Sequence, residues 1–205
     1  MLTTKKNHGK FTIVDSVNVG AAAGPVFRAR RLGPELELLE RFLEMPHFSA
    51  PPGCEATVFR EPRLESGFPD LVIVIWDRRK TEQWQPVRTA LTLEDLRLAH
   101  YVHCSGGCAH ERLSTVFPKW GKSLERLNAA GMLECDHEMW RLRPLSHLFA
   151  AQQIIAVEAK IAEWGRALEQ AQLNTWFASA SYVLVPNVPK RSRLLERAKA
   201  LAARG

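Results

Sequence analysis

The sequence predicts an α/β protein whose sheet and flanking helices are interrupted along the chain by a mainly helical segment. Apolar runs typical of strands buried on both faces alternate with amphipathic helical patterns. Between about residues 90 and 144 this alternation stops, and short helical patterns follow one another closely. The runs that predict buried strands are residues 71–76, 153–160 and 181–186.

Length and composition limit the classes of protein to consider. With 205 residues, the chain is long enough for one domain with an insertion or for two small domains. Hydrophobic residues make up 46% of it, which excludes wholesale disorder, and no apolar run approaches the length of a membrane span. The basic N-terminus leads into no sustained apolar run, so no signal peptide and no membrane contact are expected.

Charge and cysteine content suggest a partner and a compartment. A net charge of +6 favours an anionic partner, of which nucleic acid is the commonest. Four sparse, unevenly spaced cysteines suit reduced thiols in the cytoplasm. A zinc site formed by three of these cysteines and two nearby histidines is one alternative. However, the Cys-x3-Cys spacing is loose, and free thiols in a helical core explain the pattern as well. Its candidate ligands are His103, Cys104, Cys108, His110 and Cys135.

The first half of the chain predicts a strand, a helix and two further strands. Residues 11–19 are strand-like, and the basic cluster after them, which begins at Arg28, is expected in a solvated loop. A helix is predicted from Pro34 to Met45, because proline suits an early helical position and Pro46 would end the helix. Its predicted apolar face consists of Leu36, Leu39, Phe42 and Leu43.

Two carboxylates in this half are candidates for a site. Glu40 borders the apolar face of the helix, and it is either a solvated side chain or part of a site. Pro69 must stand at the start of the buried strand 71–76, since proline cannot donate within a central ladder. Asp70 then lies at the mouth of that strand, where a carboxylate can meet solvent and metal, although an aspartate in a turn after proline is also common.

Residues 89–144 are predicted to form a separate unit of three short helices and a hairpin. Thr92 is a candidate N-cap with Asp95 at the third helical position, and Gly131 is placed to end the third helix. The hairpin follows, with its tip near residues 136–138. The stretch "SLERLNAAGMLE…WRLRP" is similar to the third helix and wing of winged helix-turn-helix domains.

That resemblance implies DNA binding, with the third helix in the major groove. The residues expected to contact phosphates are Lys119, Lys122, Arg126, Arg141 and Arg143. Winged helices also dock on proteins, and acidic residues here, such as Glu125 and Glu134, dilute the positive field. A protein partner on this unit is therefore an open alternative.

The strand at residues 153–160 breaks the usual pattern of buried strands. Glu158 and Lys160 are two positions apart, so on a strand they would share a face. Burying both charges is costly unless they serve each other, a metal or a substrate. The alternative is an edge strand with a surface ion pair. On the helix that follows, Gln170 shares a face with Asn174 and can reach the sheet end beside Lys160.

Taken together, these pieces resemble the PD-(D/E)XK nuclease superfamily. Pro69-Asp70 and Glu158-Ala159-Lys160 match its short motifs, and "VEAKIAEWGRALEQAQLNTWFASASYVLVP" is similar to members with a glutamine on the helix after the catalytic strand. The resemblance covers about residues 30–78 and 150–186. It departs from the family in the separation of Asp70 and Glu158, 88 positions by sequence number, where these nucleases usually have a short hairpin. An inserted winged helix at residues 89–144 would account for this, leaving 1–88 and 145–205 as a discontinuous nuclease-like domain.

The resemblance implies a restriction-endonuclease-like α/β/α core with a mixed sheet and a metal-dependent DNA nuclease activity. Asp70, Glu158 and the Ala159 carbonyl would bind Mg²⁺ or Mn²⁺. Lys160 would handle the attacking water, Glu40 would position a metal, and Gln170 would hold Lys160 or a phosphate oxygen. Such nucleases often dimerise, so a homodimer is one expectation. The alternative is a catalytically inactive DNA-binding or regulatory protein that uses the nuclease fold as a scaffold.

Overall fold

The computed structural model describes residues 6–7, 11–15, 26–29, 32–45, 50–65, 67–117, 120–187 and 193–202. These residues form two compact units. The first unit contains the described residues up to Trp76 and those from Ala151 onward, and the second unit is Asp77–Ala150. In chain order, the second unit therefore interrupts the first.

The structure contains the predicted strands and helices, together with several short elements that the sequence did not predict. The strands are β1 (Lys6–Asn7), β2 (Thr12–Val14), β3 (Cys54–Arg60), β4 (Leu71–Asp77), β5 (Cys108–Ala109), β6 (Leu133–Asp136), β7 (Met139–Leu142), β8 (Ala151–Ala159) and β9 (Ala180–Leu184). The α-helices are α1 (Pro34–Glu44), α2 (Arg78–Glu82), α3 (Leu93–Cys104), α4 (His110–Val116), α5 (Trp120–Ala129), α6 (Leu145–Leu148), α7 (Trp164–Asn174) and α8 (Arg193–Ala202), and a 3-10 helix spans Pro86–Ala90.

The first unit contains a mixed six-stranded sheet in the order β1-β2-β3-β4-β8-β9. β4 and β8 run antiparallel, whereas β2 pairs with β3, and β8 with β9, in parallel. Each parallel pair is connected through a helix, α1 for the first and α7 for the second. The prediction of an α/β fold with a mixed sheet is confirmed.

Apolar residues of the two central strands form the core with the buried face of α1. Leu71 and Ile73 of β4 pack with Ile155 and Val157 of β8. The helix begins at Pro34, as predicted, whereas Pro46 lies outside the described residues. Its buried residues are Leu38, Leu39 and Leu43, and Phe42 packs against the same core, so three of the four residues of the predicted apolar face are confirmed. The fourth, Leu36, is only partly buried and lines a cavity.

The second unit consists of helices α3, α4 and α5 with a three-stranded sheet in the order β5-β7-β6. The predicted cap of α3 is confirmed: Asp95 donates its backbone N–H to the Thr92 hydroxyl, and the Asp95 carboxylate accepts from the Thr92 backbone N–H at 2.7 Å. β6 and β7 form the predicted hairpin, with His137 and Glu138 at its tip in left-handed conformations. Leu98, Leu113 and Leu127 are fully buried at the centre of this unit.

Among the described residues, no helix is both long and apolar enough to cross a bilayer.

Candidate functional site

The pairing of β4 with β8 brings together two carboxylates that are far apart in the sequence. Leu71 lies opposite Val157, so Asp70, just before β4, lies beside the carboxyl end of β8. There the Ala159 backbone N–H donates to Asp70 Oδ2 at 2.7 Å. Glu158 is the penultimate residue of β8. The antiparallel register therefore places Asp70 next to the Glu158-Ala159-Lys160 segment.

Both carboxylates are buried, and their pKa values reflect it. Asp70 is 9% exposed, and burial raises its pKa, while the Ala159 N–H and the Lys160 ammonium oppose the rise. Glu158 is 2% exposed, and burial raises its pKa to about 7. The Asn174 amide, which donates to Glu158 Oε1 at 2.7 Å, opposes that rise, and the negative charge of Asp70 adds to it. The other oxygen, Glu158 Oε2, is buried without a hydrogen-bond partner.

Lys160 lies among the oxygen atoms at this strand end. Its Nζ donates to the Ala159 carbonyl oxygen at 2.9 Å and is 3.8 Å from Asp70 Oδ2. Glu35 Oε2, at the first turn of α1, is 3.4 Å from the same ammonium. The side chain of Lys160 is only 15% exposed. The charge is thus half-enclosed, β8 lies between β4 and β9, and Glu158 is buried, so this is not an edge strand with a surface ion pair.

Helix α7 presents two amide side chains to this region. Its buried face includes Ala167, Ala171 and Asn174, so the face predicted from the sequence is the one that packs. Gln170 lines the same cavity as Asp70 and Lys160, and its Oε1 is buried without a hydrogen-bond partner. Sequence reasoning assigned no role to Asn174, although its position one turn after Gln170 was the signal that could have found it.

The glutamate of α1 that reaches the site is Glu35, whereas the one singled out in the sequence, Glu40, has a different partner. Glu40 accepts two hydrogen bonds from the Arg60 guanidinium, at 2.6 and 2.9 Å. Five positions on a helix correspond to a rotation of about 140°, so the two glutamates point to different sides. Glu35 was missed because an acidic residue in a first turn is common without any site, since it complements the helix dipole.

The site opens into a cavity of about 340 Å³ with mostly charged walls. Arg28 pairs with Glu61 and lies over the Phe68 ring, 5.3 Å from its centre. Arg28 therefore belongs to a charged cavity wall, not to the solvated loop expected from the sequence. Glu61 and Glu163, two wall residues, have φ of +46° and +56°. Non-glycine residues in this conformation are uncommon and concentrate at functional sites.

The oxygen atoms at the strand end are of the type that binds magnesium. Asp70, Glu158 and the Ala159 carbonyl offer hard oxygen donors, and Mg²⁺ is usually held by one or two carboxylates while it keeps several waters. Burial raises the pKa of both carboxyls, and Glu158 Oε2 has no hydrogen-bond partner, so a bound cation would favour their ionised forms. No group of three or more His, Cys, Asp or Glu side chains suited to a metal ion occurs in the part of the chain that the structure describes. The fit therefore rests on two carboxylates and a carbonyl.

The residues of the second unit that were expected to contact DNA have different surroundings. Lys119 lies outside the described residues. Lys122 and Arg143 are exposed, and Arg141 is 3.9 Å from the Asp136 carboxylate. Arg126 binds the Asp95 carboxylate through two hydrogen bonds, at 2.8 and 2.6 Å.

Arg126 therefore supports the fold instead of presenting a free charge to a phosphate. Asp95 is 0% exposed, and burial alone would raise its pKa, but hydrogen bonds from Arg126 and neighbouring groups hold that pKa well below its usual range. A buried carboxylate of this kind needs its cation.

The four cysteines are free thiols in the structure, and Cys108 is buried in the core of the second unit. Cys104 Sγ lies 3.6 Å from His100 Nδ1, a neighbour one helical turn away. Cys104 and Cys135 are both exposed.

Comparison of the chain with models of protein families, with curated proteins and with solved structures finds no match.

Proposed function

We propose that the protein is a metal-dependent nuclease of the PD-(D/E)XK type that hydrolyses phosphodiester bonds in DNA. The observation that carries the proposal is the buried pair Asp70 and Glu158 beside Lys160, at the end of two central strands, where Asp70 and Lys160 line a charged cavity. Burial of two carboxylates next to a half-enclosed ammonium costs stability, so their retention at one point favours a chemical role.

Each residue has a role that its contacts support. Asp70, Glu158 and the Ala159 carbonyl would hold Mg²⁺ or Mn²⁺, which supplies positive charge against a phosphate and lowers the pKa of a water molecule. Lys160 orients the attacking water and stabilises the negative charge that develops on the phosphate. Glu35 holds the Lys160 ammonium in place.

Two amides of α7 complete the proposed site. Asn174 orients the Glu158 carboxylate through its hydrogen bond at 2.7 Å. Gln170 lines the cavity that would receive the substrate, and its buried Oε1, which has no partner, can accept a hydrogen bond from Lys160 or from the attacking water. Its amide N–H groups can donate to a phosphate oxygen.

We also propose that the first unit is a restriction-endonuclease-like core and the second an inserted winged helix that binds DNA. Supporting this, β4 and β8 are neighbours in the sheet although the whole second unit separates them in the chain. Three helices and a hairpin are the parts of a winged helix, and the exposed cations Lys122, Arg141 and Arg143 are suited to phosphates.

A cleavage assay tests the catalytic proposal. The full-length protein is incubated with single-stranded, duplex and branched DNA in Mg²⁺, Mn²⁺ or EDTA. Cleavage is expected with the metals, and Asp70→Asn and Lys160→Met are expected to lose it while still binding DNA. Glu37→Gln, an exposed carboxylate change on α1, is the matched control. Absence of cleavage by the wild type on every substrate, with DNA binding intact, would favour the inactive regulatory protein instead.

The DNA-binding proposal for the second unit has its own test. Removing one cation that binds a phosphate should reduce the slope of log affinity against log salt by about one. Lys122→Ala and Arg141→Ala should each show this shallower slope in fluorescence anisotropy with labelled duplex DNA. An unchanged slope in both variants would contradict DNA binding by this unit and would favour a protein partner.

A further inference from the structure

A second cavity lies entirely within the second unit. It measures about 420 Å³, within the range of about 300–1,000 Å³ that small-molecule sites usually occupy. Its basic lining residues come from two separate stretches of the chain, residues 80–88 and 143–148, which the fold brings to one place: Lys80, Arg88, Arg143 and His147. No carboxylate is among its lining residues.

The described residues supply no carboxylate that pairs with the three lysine and arginine cations of this cavity. Among the described residues, neither Lys80 nor Arg88 nor Arg143 forms an ion pair. Lys80 donates instead to the Ser146 carbonyl at 2.7 Å, and Arg88 donates to the carbonyls of Ala130 and Leu148, each at 3.0 Å. Carbonyl oxygens hold these side chains in position but leave their charge available to an anion.

Arg88 is the most constrained of the set. Its guanidinium is anchored on the two carbonyls and lies 4.9 Å from the centre of the Trp84 ring. Burial lowers the pKa of Arg88. A half-buried cation held in one orientation is suited to a bound anion, since little conformational freedom remains to be lost on binding.

We propose that this cavity is a binding site for nucleotide phosphates. Arg88 and Arg143 would bind the phosphate, whereas Trp84 and the amides of Gln83 and Gln85 supply a surface for a base. Phosphate groups match arginine geometry, and a planar base matches the aromatic and guanidinium surfaces. The ligand is either a free nucleotide or a nucleotide of a nucleic acid. The site belongs to the second unit alone, and its occupation does not depend on cleavage by the first.

Calorimetric titration of the full-length protein with AMP and with pyrophosphate, in EDTA, tests the proposal without involving a metal. Arg143→Glu is expected to weaken binding by at least about tenfold, because it removes a charged hydrogen bond and adds repulsion. Arg97→Glu is the matched control, since Arg97 is an exposed arginine of the same unit outside the cavity. It should change the affinity by less than about twofold.

A second variant and a competition arm complete the experiment. Lys80→Ala is expected to weaken binding in the same direction, and thermal melts establish that each variant is folded. AMP that displaces a labelled oligothymidylate identifies a nucleic-acid strand as the ligand, whereas AMP binding without oligonucleotide binding identifies a free nucleotide. Both outcomes support the site. Failure of AMP and pyrophosphate to bind, or equal losses in the Arg143 and Arg97 variants, would overturn it.

Discussion

Replacing Glu158 by glutamine tests whether its carboxylate destabilises the folded protein when no metal is bound. The change preserves side-chain size, and the new amide oxygen can still accept the hydrogen bond that Asn174 donates at 2.7 Å in the wild type. The amide nitrogen takes the place of the partnerless Oε2. The ionisable group is lost, and the two added N–H donors affect stability equally at every pH, so the pH dependence reports the carboxyl group alone.

The magnitude follows from the pKa of this buried carboxyl group. Burial raises the pKa of Glu158 from 4.5 to about 7 on folding. The difference between the two values corresponds to about 3 kcal/mol. A raised pKa means that the folded state favours the protonated form. The contribution of protonated Glu158 to the free energy of unfolding is therefore fully present below pH 4.5, and it is lost as the pH rises through about 7.

Urea unfolding in EDTA, followed between pH 4 and pH 8.5, measures this effect. The free energy of unfolding of the wild type should fall between those limits by about 3 kcal/mol more than that of Glu158→Gln. Above pH 7, Mg²⁺ should stabilise the wild type more than the variant, because a bound cation favours the ionised carboxylate. Parallel pH profiles for the two proteins would refute the assignment of Glu158 as a buried, uncompensated carboxyl group.

Three further predictions concern neighbouring contacts. Glu35→Gln should lower the cleavage rate in single-turnover assays by about tenfold, because Lys160 loses an anchoring charge. Glu40→Gln, outside the cavity, should leave the rate nearly unchanged. The reverse result would show that the wrong glutamate was assigned to the site. Asn174→Ala should weaken Mg²⁺ binding by about tenfold in calorimetry, since Glu158 loses the amide that orients it, and an unaltered affinity would dismiss that role. Arg126→Ala should lower the free energy of unfolding by about 3 kcal/mol in urea titration, because Asp95 is left buried without its cation. A loss of stability as small as that caused by replacing an exposed arginine with alanine would contradict this.

Much of the fold can be read from local patterns. The buried run at β4, the strand that ends at Ala159, the helix that starts at Pro34 and the capping box of Thr92 and Asp95 are all where the sequence places them. Each depends on residues within one turn or one strand of each other, so a local rule suffices. The burial of Leu38 in place of Leu36 escaped prediction, because the two residues are equally apolar and the packing of α1 on the sheet decides which one is buried.

The sequence by itself determined which charged residues stand at the ends of the buried strands, namely Asp70, Glu158 and Lys160. A charge next to an apolar run can be recognised from the order of residues alone. Tertiary structure decided which partners these charges meet. It placed Glu35 beside Lys160 and Asn174 beside Glu158, and it placed Arg126 beside Asp95, which is 31 positions away in the sequence. The physical reason is that a side chain's partner depends on strand register and helix rotation, which the packing of the whole unit sets.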